Sequence, residues 1–124
     1  MAYYQGKLYI GGGYTPNCRQ DFYAYDIATN TWTTLPNHPT THFDGWAVAC
    51  NGKVYVTGEH PGCNTCTDQY YYYNIASNAW SPMPVFPGGS RNTLQPIELN
   101  GVLYGGLGVF CNDTYIRDWW AFCP

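Results

Sequence analysis

The chain has 124 residues, enough for one small domain, with a formal net charge of −3 and charged residues at only 10%. Five basic residues cannot build the stripe that neutralises nucleic-acid phosphates or the cluster that holds a protein on an anionic membrane, so both binding classes are excluded. No apolar run reaches the ~18 residues needed to cross a bilayer, and with 19% aromatic residues the surface is kept in water by Tyr, Thr, Asn and Ser.

Taken in chain order, Met1-Ala2-Tyr3-Tyr4 runs into a strand pattern without the basic and apolar regions of a signal peptide. A secreted form is therefore expected to be a mature piece or a fragment. Gly6-Lys7-Leu8-Tyr9-Ile10-Gly11-Gly12 is a short strand of β-formers bounded by glycine. Tyr25-Asp26-Ile27-Ala28-Thr29-Asn30-Thr31-Trp32 follows as an aromatic hairpin. The second unit shows four strands: Trp46 to Cys50, Lys53 to Gly58, Gln69 to Ile75 and Ala79 to Met83. Asn51-Gly52 joins the first two as a type I′ turn, which needs positive φ at both central residues. The third unit repeats the device with Asn100-Gly101 between Pro96 to Leu99 and Val102 to Tyr104, and Gln5-Gly6 is its weaker first-unit form. Apolar residues never hold helical spacing over three turns. The chain reads as all-β.

Tyr25 and Tyr73, Asn30 and Asn78, Trp32 and Trp80, and Leu35-Pro36 and Met83-Pro84 are all 48 residues apart. A fixed period in this range marks a repeat architecture. The Gly-Gly after a Tyr-containing strand, the Tyr-Asp pair, the Thr-Asn-x-Trp turn and the following Leu-Pro resemble kelch repeats. That resemblance implies a β-propeller, each repeat a four-stranded blade around a central channel. It also implies that Trp32 and Trp80 pack between neighbouring blades and that Tyr9, Tyr55 and Tyr104 fill the inner strands. The units divide at about 1–37, 38–86 and 87–124. The third is truncated, because Asp118-Trp119-Trp120-Ala121-Phe122 aligns with the start of the first hairpin and Cys123-Pro124 follows. Two and a half to three blades make an incomplete ring, since propellers usually have about 4–8. Open blade faces and strand edges favour association. The missing neighbours come from a longer polypeptide or from other copies, closing a ring or stacking as a filament.

The six cysteines fall mostly in loops and favour an oxidising, extracellular compartment. Cys18, Cys63, Cys66 and Cys111 lie in loops that the resemblance places on one propeller face, and two disulfides are expected: Cys18 with Cys63 or Cys66, and Cys111 with the remaining one. Cys50 reads as a buried thiol, and Cys123 as unpaired or paired outside the segment. His60 and the Cys63-x-x-Cys66 spacing form half of a zinc site, with Cys18 the sole candidate for a fourth ligand; no metal and no cofactor is expected. His38 and His42 sit beside Pro39 in what reads as a solvated loop, and Asp21, Asp68 and Asp118 precede third strands as turn residues. No nucleophile–base order, phosphate loop or carboxylate pair points to an enzyme. Asn112-Asp113-Thr114 is a glycosylation sequon. In the run Gln69 to Tyr73 alternate tyrosines face outward, either Tyr70 and Tyr72 or Tyr71 and Tyr73.

The expected function is a non-enzymatic extracellular interaction or structural module whose partner is protein, either copies of itself or missing blades. Tyr70, Tyr72, Arg19 and Arg117 are the candidate contact residues. The alternatives are a fragment of a cytosolic substrate-recruiting adaptor that binds a peptide through its loop face, and a propeller making glycan contact through surface Tyr and Trp.

Overall fold

The computed structural model describes residues 1–57 and 65–123, and every regular element among them is a β-strand. Strands β1 (Ala2–Tyr4), β2 (Lys7–Gly11), β3 (Phe22–Asp26) and β4 (Thr31–Leu35) form a four-stranded antiparallel sheet in sequence order. A second such sheet follows: β5 (Trp46–Cys50), β6 (Lys53–Thr57), β7 (Tyr71–Asn74) and β8 (Ala79–Pro82). The third contains β10 (Gln95–Leu99), β11 (Val102–Gly106) and β13 (Trp119–Phe122), and among the described residues β13 is its edge strand. A two-stranded ribbon of β9 (Arg91–Asn92) and β12 (Val109–Phe110) sits outside that sheet. The innermost strands lie side by side, β1 against β5 and β5 against β10, which sets the three sheets as successive blades of an unclosed propeller.

Local chemistry fixes these blades. Asn51 and Gly52, and Asn100 and Gly101, all have positive φ, as the primed turn requires. Gln5 (φ 45°) adopts the same conformation before Gly6, without asparagine's tolerance for it. The loop from third to fourth strand is built identically in both complete blades. The Asp26 carboxylate accepts from Ala28 N and Thr29 N, and the Asn74 side-chain oxygen from Ala76 N and Ser77 N. Asn30 and Asn78 then turn left-handed, and their side-chain oxygens accept from the hydroxyls of Tyr25 and Tyr73, each at 2.6 Å. Tyr25 and Tyr73 are thus tied to the turn as well as packed.

One detail departs from the sequence reading. β7 is shorter than Gln69–Ile75, because Thr67 holds Gln69 in a local turn, its hydroxyl accepting from Gln69 N and donating to Gln69 O. The glycine that closes the second strand makes room for a close approach within its own blade. A Cβ at Gly11 would strike the Asp21 carbonyl, and one at Gly106 the Asp118 carbonyl, both on the adjacent strand segment.

Candidate interaction surface

Cross-strand register sorts each blade into two faces. In the second blade Ala49, Val54, Tyr73 and Trp80 lie in one row across the sheet, and this row packs against the first blade's Ala2, Tyr9, Phe22 and Ala24. Trp80 is the centrepiece. Its ring lies 4.9 Å from Phe22, 5.5 Å from Tyr73 and 4.6 Å from His38, and its Nε1 donates to the Pro36 carbonyl at 2.8 Å. The opposite face of the second blade, with Val48, Cys50, Tyr55 and Tyr72, packs against Leu103 and Phe122 of the third. Burial there pushes the Tyr55 hydroxyl up to about 12.

His38 and His42 are not in a solvated loop. Backbone bonds from His38 N to Gln20 O and from His42 N to Arg19 O draw the 36–45 connection onto the first blade. Both rings are buried, 4.2 Å apart, and His38 meets Trp80 and Tyr71 edge-on. Burial, with His42 alongside, holds the His38 pKa down at about 3; burial also lowers that of His42, against the pull of Asp21.

The residue that sequence reasoning missed is Arg91, which is fully buried. Its guanidinium donates to Asp118 Oδ1 at 2.5 Å and Oδ2 at 2.7 Å, to the Leu107 carbonyl at 3.0 Å and to the Gly88 carbonyl, with Phe86 and Phe110 over its faces. Asp118 also accepts from Trp120 Nε1, and these donors hold its carboxyl at about 2. So Asp118 is an ion-pair partner rather than the expected turn residue, its carbonyl accepting across the strands from Leu107 N. An arginine in a Gly/Ser stretch reads as solvated; only the β9–β12 pairing carries it to an aspartate 27 residues away.

Other expected residues fall as follows. Tyr70 is not at the surface. It is 1% exposed, its hydroxyl donating to the Arg91 carbonyl, because the segment before β7 tucks under the β9 ribbon. Tyr72 is half-buried against Tyr55, with the Lys53 ammonium 4.9 Å above its ring. Arg19 is exposed and 3.4 Å from Asp21; Arg117 is exposed. Asn112 lies in an exposed turn and accepts from Thr114 N. Cys66 and Cys111 form a disulfide joining the loops of the second and third blades, and Cys18 is also disulfide-bonded. Cys63 and His60 lie outside the described residues. Cys50 is a buried free thiol and Cys123 an exposed one. With Cys66 in a disulfide, its thiolate is not available to a metal; among the described residues no cluster of three or more His, Cys, Asp or Glu could hold one.

Residues 1–39 match the Kelch motif. The first blade is a kelch repeat. The second, with the same Tyr–Asn–Trp hairpin 48 residues on, is built to the same plan. No curated protein matches the chain.

The blades leave two faces open. On the first blade Tyr3, Leu8, Tyr25 and Trp32 form the row equivalent to Ala49–Val54–Tyr73–Trp80. Among the described residues no blade covers it, and Trp32 is 61% exposed where Trp80 is partly buried. At the other end, Ile97, Tyr104 and Ala121 form the row equivalent to Ala2–Tyr9–Ala24, with Trp119 at the place of Phe22. Ile97 and Trp119 are about half exposed. One end of the arc therefore presents the surface that donates an interblade tryptophan, and the other presents the surface that receives one.

Proposed function

We propose that this chain is a non-enzymatic, extracellular protein-interaction module that works by burying its two open blade faces. The observation that carries the reading is the equivalence of the Tyr3–Leu8–Tyr25–Trp32 row to the row the second blade buries against the first. Such a face gains free energy from burial at ~25 cal/mol per Å² of apolar surface. The two ends are complementary in kind, so copies associate head to tail, into a closed ring if the rotation closes and into a filament if it does not. The Cys66–Cys111 disulfide fits an oxidising compartment, and the exposed Asn112 sequon is accessible to glycosylation there.

Light scattering over a concentration series, on the oxidised chain and on Trp32→Asp, tests this reading. The wild type is expected to exceed the mass of one chain as concentration rises, and Trp32→Asp to remain monomeric while folded. A wild type that stays monomeric throughout overturns self-association.

A further inference from the structure

The third blade contains an empty counterpart of the seat that Trp80 fills. Trp80 lies among Phe22, Tyr73 and His38, beside Tyr71 (itself against His38), and donates to the carbonyl of Pro36. The equivalent positions one blade on are Tyr70 for Phe22, Phe122 for Tyr73, Phe86 for His38, Trp120 for Tyr71 and Pro84 for Pro36. All five line a single apolar cleft of about 160 Å³ between the second and third blades. The cleft opens beside β13, whose outer edge carries no fourth strand among the described residues.

We propose that this cleft is a tryptophan socket, and that its occupant is an extended Trp-bearing segment of another polypeptide, added antiparallel to β13 as a fourth strand. This rests on reading the chain as an incomplete set of blades. Main-chain bonds to the free edge supply affinity in such strand addition, and the side-chain pocket supplies selectivity. The chain's own fourth strands define what fits: an indole four residues before a proline, as in Trp32 and Pro36 or Trp80 and Pro84.

The residue types at positions 123 and 124 favour supply from another polypeptide. In the two complete blades the third strand turns back through Asp26 or Asn74, whose side chains cap the loop, and through Ile27 or Ile75, whose N–H donates to the carbonyl of Gly6 or Gly52. Cys123 and Pro124 stand at these positions. A thiol is a weak acceptor for the capping bonds, and proline has no N–H to donate. The capping and N–H bonds that hold this hairpin in the first two blades therefore have no equivalent at Cys123 and Pro124. A second copy is a poorer source, since its Trp32 and Trp80 strands are already paired within their own blades.

The test is fluorescence anisotropy of a fluorescein-labelled peptide with the sequence of residues 29–36, Thr-Asn-Thr-Trp-Thr-Thr-Leu-Pro, titrated with the oxidised full chain. Saturable binding is expected, weakened at least tenfold when the peptide Trp is replaced by Ala. Gly105→Leu in the protein fills the socket from its floor. A Cβ there meets nothing closer than 3.5 Å, so the variant is expected to fold with unchanged near-ultraviolet circular dichroism and to lose binding. Equal binding of the Trp and Ala peptides, no saturation, or full binding by folded Gly105→Leu overturns the socket. If the peptide dissolves assemblies of the chain, the occupant is a second copy and the assignment to another polypeptide is overturned. A monomeric chain that binds the peptide sinks head-to-tail association and leaves the socket standing; an assembling chain that ignores the peptide does the reverse.

Discussion

The Trp80 indole donates from the second blade to the Pro36 carbonyl, which closes the first, at 2.8 Å. The two residues are 44 apart in sequence, and the same ring packs on Phe22 and His38. One side chain thus supplies both apolar contact and a polar tie across the junction.

Trp80→Phe keeps most of the packing and deletes the tie, and is expected to cost about 1 kcal/mol, the net value of a typical hydrogen bond. Trp80→Ala should cost about 3 kcal/mol, at the low end for large aromatic truncations because the ring is only partly buried. Trp32→Ala, on the open face, should change monomer stability by no more than about 0.5 kcal/mol. Urea unfolding of the three variants at dilution checks the ranking. Equal losses at Trp32 and Trp80 would contradict the blade assignment.

Arg91 and Asp118 are unequal partners. Arg91 is fully buried, whereas the Asp118 side chain is 28% exposed. Asp118→Asn strands a cation without water and is expected to cost about 3 kcal/mol. Arg91→Met removes the buried charge and leaves a carboxylate that water can reach, so it should cost less. The Asp118 pKa is depressed to about 2, so its contribution is complete above about pH 4 and is lost as pH falls toward 2. In wild-type acid unfolding followed by circular dichroism that limb is expected, and Asp118→Asn should lack it.

The blades themselves were legible in sequence because their determinants are local. Asn51-Gly52 and Asn100-Gly101 specify turns through their own φ angles, and Tyr25–Asn30 and Tyr73–Asn78 are separated by only five residues. Register then follows from strand alternation. What lay between blades was less legible. Tyr70 and Tyr72 alternate as a strand should, yet both faces of the second blade are covered, so alternation could not say which tyrosine reaches water. His38, His42 and Arg91 carry polar labels that suit a loop. Each is buried by a contact made from another part of the chain, and no short-range pattern reports that.

Neutral burial of the histidine pair sets a second pH limb, distinct from that of Asp118. The His38 pKa falls from 6.5 to about 3 and that of His42 is also lowered. The unfolded chain therefore takes up protons below about pH 6.5 that the folded chain refuses, and stability is lost as pH falls from there toward 3. His38 contributes a slope of up to about 1.4 kcal/mol per pH unit in that window, and His42 acts in the same direction. His38→Phe places there the residue type that the next blade has at Phe86, and should flatten the slope while leaving stability at pH 7 within about 1 kcal/mol. Urea midpoints at pH 7 and pH 5 decide it; an identical drop in wild type and variant would show that His38 is not the group being titrated.

The Cys66–Cys111 disulfide spans 45 residues and joins the loop before β7 to the one after β12, across the junction between the second and third blades. Closing a loop of that length in the unfolded chain stabilises by about 3–4 kcal/mol. The third blade needs this support because its sheet has three strands and its outer face is open. The Cys66→Ser/Cys111→Ser double variant is expected to melt about 10 °C lower in calorimetry. Full reduction of the wild type should lower the melting temperature further, because Cys18 is disulfide-bonded too. The junction between the first and second blades is held by Trp80 and keeps the bond of Cys18 in that double variant. In the double variant hydrogen exchange should therefore rise in β11 and β13 and stay slow in β2 and β3, since stability is lost locally where the staple acted. Uniform acceleration across all three sheets would instead mean that the blades unfold as one unit.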